Sequence, residues 1–267
     1  VTTLILGCGY TGLRVARRLS AAGERVLGSY RLADERAAVE AAGAEPVPFD
    51  ADEPASREAL ARRFAPEHEG LRVLFAFPPD RLREGGERTS AAVRALHGRI
   101  GRAVQLSSCA VYGDVPRVDA STAAAPSTPR GALYLDAEDA VRAGARSALA
   151  LRTAAIYGPG RGVLAEEQPR FSHARSLDAV VSRIHVDDLA ALAVAALAGE
   201  LEGAWPVADE EPASGRALLA AWSGADWSPP TDRPDPPGSR RVDGTSIVRA
   251  LGVALRYRSF RDAIAVR

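Results

Sequence analysis

With 267 residues and a formal net charge of zero, the chain is long enough to bury a full α/β core and carries no basic excess of the kind that binds nucleic acid or an anionic membrane. No apolar run approaches the ~18 residues of a spanning helix. The first residues read as strand rather than signal peptide, and the two cysteines lack metal-ligand spacing, which points to reduced thiols in a cytoplasmic protein. All 34 basic residues are arginine, so lysine chemistry is excluded altogether.

Leu4, Ile5 and Leu6 form the apolar run of a buried parallel strand and lead directly into GCGYTG, with glycines at Gly7, Gly9 and Gly12. From Thr11 an amphipathic helix sets Leu13, Val15, Ala16 and Leu19 against Arg14, Arg17 and Arg18, stops at Gly23, and gives way to a strand at Val26 and Leu27. A helix over 35–42, a strand over 46–49 ending at Asp50, a helix over 56–64 and a buried strand over 73–77 follow, the last stopped by Pro78 and Pro79. The pattern continues with a helix over 87–96, a strand over 102–106, a loop over 114–130, a helix over 131–145 and a strand over 148–152. Beyond residue 160 the alternation loosens. A short extended piece at 183–186 precedes a helix over 189–197 that Asp187 or Asp188 can cap. A strand over 204–208, a helix over 214–222, a proline-rich surface loop over 223–241 and helices over 246–251 and 257–265 complete the chain.

The strand, glycine turn, helix and second strand stand in the order of a dinucleotide-binding fingerprint, in which glycine permits a tight bend and close approach to a diphosphate held on the helix N-terminus. Gly7, Gly9, Tyr10, Thr11 and Gly12 are the expected cradle, with Ala76, Phe77 and Ser107 along the cofactor's path and Asp50 placed for an adenine amino group or for a turn. At the end of the second strand stand Ser29, Tyr30 and Arg31, with no acid to take the ribose hydroxyls. A guanidinium suits a 2′-phosphate, so Arg31 favours NADP over NAD, a solvated strand-end charge being the alternative.

The segments GCGYTG at 7–12, SSCAVYG at 107–113, LRTAAIYGPG at 151–160, RIHVDD at 183–188 and LGVALRYRSFRDAI at 251–264 are spread over nearly the whole chain. By them the sequence resembles the extended branch of the short-chain dehydrogenase/reductase superfamily, of the nucleotide-sugar epimerase and dehydratase type. The resemblance implies an α/β fold: a doubly wound parallel Rossmann sheet over 1–160 with a smaller C-terminal α+β substrate lobe over 161–267, interleaved with the first, and an active site between them. It also implies NAD(P) as cofactor, a small-molecule substrate that is polar and nucleotide-linked, and a homodimer joined through the helices at 87–96 and 131–145.

In that superfamily a serine positions the substrate oxygen while a tyrosine, assisted by a lysine four residues later, moves the proton. Ser108 matches the serine, but the tyrosine position is Arg130 and the lysine position is Tyr134. Three readings follow. A rewired oxidoreductase would use Ser108 with Tyr112 or Tyr134 as proton donor and Arg130 as an electrostatic clamp. A nucleotide-binding sensor or regulator would retain the cofactor site without turnover, and a lyase or isomerase would use the cofactor structurally. For Tyr112 and Tyr157 the competing role is cleft lining, for His185 a packed hydrogen bond, for Cys109 a small apolar filler with no cation near it, and for Trp205, Trp222 and Trp227 ordinary packing.

Overall fold

The computed structural model describes residues 2–64, 70–82, 85–165, 176–225 and 234–266. Seven strands form one parallel sheet: β1 (Thr2–Leu6), β2 (Arg25–Tyr30), β3 (Glu45–Pro48), β4 (Leu71–Phe75), β5 (Ile100–Ser108), β6 (Ser147–Thr153) and β7 (Gly203–Val207). They lie in the order β7-β6-β5-β4-β1-β2-β3. The order reverses direction at β1, so the C-terminal ends of β1 and β4 open a crevice, which is where such sheets receive ligands.

Alternate residues of β1 supply two cores. Ile5 packs with Val15 and Leu19 of α1 (Gly12–Ala21), Val39 of α2 (Ala33–Ala41) and Leu189 and Leu192 of α6 (Val186–Ala198). Leu4 and Leu6 face the opposite layer, with Leu60 of α3 (Pro54–Arg63), Ala92 and Val93 of α4 (Arg88–Ala95) and Val141 of α5 (Pro129–Gly144). A strand buried on both faces has no polar side to alternate with, which is why these segments read as continuous apolar runs.

Strand β7 and helix α6 lie beyond residue 160 and yet complete the large sheet and one of its layers. The chain then adds α7 (Gly215–Ser223), α8 (Thr245–Ala250) and α9 (Phe260–Ala265). A separate core of Tyr157, Val163, Leu218, Tyr257 and Phe260 closes this smaller part. Its backbone is tied down by short strand pairs: 155–157 parallel to 183–185, 117–118 parallel to 241–242, and 213–214 antiparallel to 180–181.

The expected loop at 114–130 therefore contains a two-residue strand, and the described end of the proline-rich segment carries its partner; Trp227 lies outside the described residues. Neither Asp187 nor Asp188 caps α6. His185 does, its Nδ1 accepting from the Asp187 amide at 3.2 Å, while buried Asp188 accepts from the amides of Arg256 and Tyr257, both at 2.9 Å. The carboxylate is committed to the C-terminal segment, which no local signal announces. The last helix starts at Phe260 rather than Tyr257, where Ser259 and Asp262 form a capping box.

Candidate active site

Three glycines shape the turn after β1, each for a different reason. Gly7 has φ +100°, and a Cβ there would stand 2.7 Å from the Phe77 nitrogen. At Gly12 a Cβ would stand 2.3 Å from the Gly7 oxygen, so this glycine lets α1 pack tightly on the turn and does not itself line the cleft. Around Gly9 there is open space, no atom lying within 4 Å of an added Cβ. No side chain caps the N-terminus of α1. An uncapped ten-residue helix facing a glycine with room in front of it is the arrangement that fits a diphosphate.

The cleft in front of that turn has a volume of about 460 Å³ and collects Gly7, Gly9, Tyr10, Thr11, Arg31, Asp50, Ala76, Phe77, Ser107 and Tyr134. The Gly7 amide donates to Ser29 Oγ at 2.8 Å, which ties the turn to β2. Tyr10 bridges outward: its hydroxyl donates to the Pro159 carbonyl at 3.1 Å, and its ring lies under Arg14 on one flank and Arg161 on another. Arg14 is in turn paired with Asp187 at 2.9 Å, so the helix face that reads as solvated carries a link to α6.

A carboxylate does reach the end of β2. Glu35, in the first turn of α2, lines the same cleft and accepts from the amides of Arg31 at 2.8 Å and Leu32 at 3.1 Å. These bonds hold its carboxyl below the usual range, the Arg31 amide contributing most. The expectation that no acid stands there is corrected: it comes four residues after Arg31, from the helix rather than the strand. Asp50 lines the cleft and also accepts from the Asp52 amide at 3.0 Å, a turn bond, while Asp52 holds Arg88 at 2.7 Å.

Beneath the cleft floor lies a buried network. Ser107 Oγ donates to Glu138, which is forked by Arg152 at 2.8 Å, and the Arg152 guanidinium sits 5.0 Å from the centre of the Tyr112 ring. Burial alone would lower the Arg152 pKa, but the hydrogen bond and charge of Glu138 raise it above the usual value. Because the Ser107 proton is committed to Glu138, Ser107 presents an acceptor to a ligand. Tyr112 is fully buried in this network and does not line the cleft, and burial raises its pKa against the opposing effect of Arg152. Cys109 has cations near it after all, Arg240 and Arg152, yet burial still pushes its thiol up to about 12.

A second cleft, of about 670 Å³, opens between the sheet and the smaller part of the chain and is lined by Ser108, Tyr157, Ser182, Arg183 and Arg240 among others. Ser108 Oγ accepts from the Ala110 amide at 3.1 Å, which leaves its proton to donate. The two clefts share four lining residues: Arg130, Thr153, Ile156 and Arg161. Ser108 thus faces one cleft and Tyr134 the other, and Arg130 stands at their junction with its guanidinium 5.7 Å from the Tyr134 ring centre. His185 is packed between Tyr157 and Tyr257, with ring centres at 5.2 and 3.8 Å, and serves as a cap. Glu35, Thr153, Ile156 and Arg161 escaped the sequence reading. Thr153 could have been suspected from its place at the C-terminal end of β6, and Glu35 from its capping-box position at the start of α2, whereas no local pattern encodes where Ile156 and Arg161 point.

Among the described residues no three His, Cys, Asp or Glu side chains gather as a metal site, and no helix is long and apolar enough to cross a membrane.

No family model and no curated protein matches the chain. Solved structures do. A functionally unknown conserved protein from Silicibacter pomeroyi is 29% identical, with a TM-score of 0.76, covering 99% of this chain and 97% of its own. A protein from Methylobacillus flagellatus named as a candidate NAD-dependent epimerase/dehydratase is 23% identical, with a TM-score of 0.73 and coverage of 99% and 96%. The UDP-glucose 4-epimerase of Thermus thermophilus, solved in complex with NAD, is 19% identical, with a TM-score of 0.75 and coverage of 99% and 96%. The uninterrupted parallel sheet, the glycine turn at its switch point and the full-length superposition agree: the chain has the Rossmann-type α/β fold of the NAD-dependent epimerase/dehydratase structures.

Proposed function

We propose that the chain binds NAD(P) across the crevice at β1 and acts as an oxidoreductase or epimerase/dehydratase on a small polar substrate seated in the second cleft. One observation carries this reading: a glycine turn with open space at Gly9, an uncapped α1 N-terminus, and a 460 Å³ cleft that runs from Arg31 and Glu35 to the junction with a second cavity. The diphosphate would lie on the turn of Gly7 to Thr11, and the ribose and adenine near Arg31, Glu35 and Asp50. Ala76, Phe77 and Ser107 would line the path toward the junction. When bound, NAD(P) supplies a hydride acceptor or donor. The protein's part is to hold the reacting carbon at the junction, with the Ser108 hydroxyl donating to a substrate oxygen and Tyr134 the phenol best placed to exchange a proton. Tyr112, buried away from both clefts, is not retained for that role.

Arg31 favours a 2′-phosphate, whereas Glu35 beside it accepts from ribose hydroxyls and repels that phosphate. NAD accompanies the Thermus neighbour. Calorimetric titration of the protein with NADH and NADPH tests both points. Affinity for either nucleotide supports the reading, their ratio decides between Arg31 and Glu35, and no affinity for either overturns it. The exchange of the usual tyrosine and lysine positions for Arg130 and Tyr134 favours a second reading, a nucleotide-binding regulator. Cofactor affinity without absorbance change at the reduced-nicotinamide band over a panel of hydroxy and oxo substrates is its expected outcome.

A further inference from the structure

The second cleft has an unusual lining: four arginines, Arg130, Arg161, Arg183 and Arg240, and no carboxylate among its described residues. Two of the four have structural work. Arg183 donates to the carbonyls of Val181 and Ala213 at 2.7 and 2.8 Å, and Arg240 to those of Val115 and Cys109 at 3.1 and 2.7 Å, so both guanidiniums brace the wall of the cavity. The other two are placed differently. Arg130 and Arg161 are exposed, neither has a carboxylate partner among the described residues, and each is steadied by an aromatic ring, Tyr134 at 5.7 Å and Tyr10 at 5.2 Å. A guanidinium held over a ring has its conformational freedom reduced while its donors remain free for a planar oxyanion.

Position matters as much as charge. Arg130 and Arg161 belong to the small set of residues that line both clefts, and any group passing between a bound nucleotide and a substrate must cross where the clefts meet. Two positive charges at that junction disfavour a neutral reacting end and favour one that carries a negative charge within reach of both. Resting on the cofactor reading above, we infer that the substrate carries an oxyanion, a carboxylate or a phosphoryl group, next to its reacting carbon, and that Arg130 and Arg161 bind it. Ser108 then takes the neighbouring oxygen. The guanidiniums are binding residues: they fix the substrate's charged end and take no part in bond making.

The test uses the full chain saturated with whichever of NADH and NADPH binds it more tightly, and three probes titrated by calorimetry in low-chloride buffer: oxamate, its neutral counterpart oxamide, and methyl phosphate. Oxamate or methyl phosphate should bind at least tenfold more tightly than oxamide, and which of the two does so identifies the anion. Arg130→Gln and Arg161→Gln should each bring the anion-to-oxamide ratio down toward one, while Arg130→Lys retains part of it. Equal binding of charged and neutral probes, or a ratio unchanged in both glutamine variants, overturns the inference while leaving cofactor binding intact. Absence of binding of both NADH and NADPH in the first titration overturns the proposed function and this inference with it.

Discussion

Replacing Gly9 by alanine adds one methyl group where no atom lies within 4 Å, so the variant should fold as the parent does, with Tm unchanged within about a degree. The same methyl intrudes on the face where a diphosphate must approach the backbone, and nucleotide affinity should fall at least tenfold by calorimetry. Gly12→Ala makes the contrasting case. Its methyl would meet the Gly7 carbonyl at 2.3 Å, so a loss of thermal stability should accompany any loss of binding. An affinity loss confined to Gly12→Ala would mean that the turn does not hold the nucleotide. At the other end of the cleft, Glu35→Ala should raise affinity for NADPH relative to NADH, since it removes the negative charge beside Arg31.

At the scale of elements, two buried arginines fasten strands to helices. Arg102 on β5 donates to the carbonyl of Ala196 at 3.0 and 2.9 Å, an acceptor at the C-terminal end of α6 that the helix cannot satisfy itself, and to that of Leu201 just past the helix at 2.6 Å. Arg102→Met should cost roughly 2–4 kcal/mol, read as a lower midpoint in urea at unchanged slope. Arg152 on β6 and Glu138 on α5 make the second fastening, with Ser107 as a third member. Removing one partner leaves a buried charge alone, so Glu138→Ala should destabilise by about 3–5 kcal/mol. The double variant Glu138→Leu with Arg152→Met should recover most of that loss. If it does not, the network's contribution lies in holding the sheet and helix in register rather than in charge pairing.

Two buried groups, His185 and Asp209, make the stability of the whole molecule depend on pH in opposite directions. His185 titrates in the fold at about 4 rather than 6.5, because burial disfavours the imidazolium more than the nearby Asp187 favours it, with smaller repulsions from Arg14 and Arg256. The unfolded chain takes up that proton first, so stability present above pH 6.5 is lost as the pH falls toward about 4. Asp209 is raised from 3.8 to about 8, chiefly by burial; its oxygens face the Tyr157 hydroxyl without forming a hydrogen bond of good geometry. Here the folded state retains the proton, so stability declines as the pH rises from about 4 to about 8. Asp209→Asn should therefore be more stable than the parent at pH 8, by an amount on the order of 4 kcal/mol, with the advantage shrinking as the pH falls toward 4. Urea unfolding at pH 5, 6.5 and 8 measures it, and a constant difference across that range would show that Asp209 does not titrate as described.

The local sequence determined the repeating strands and helices of the first 160 residues and the place of the dinucleotide turn. Buried parallel strands must be apolar on both faces, and a turn approached by a ligand must lack Cβ atoms; both requirements are written in consecutive residues. Ser107, Ser108 and Tyr134 could be picked out for the same reason, since strand ends and helix starts are marked locally. Tertiary structure alone decided what crosses between segments. It sent the Asp188 carboxylate to the amides of 256 and 257, withdrew Tyr112 into the Arg152 network, and set Arg130 and Arg161 where two clefts meet. The contacts of Tyr112 and Asp188 join residues about forty to seventy positions apart. Their partners are selected by packing and burial, for which a one-dimensional pattern has no code.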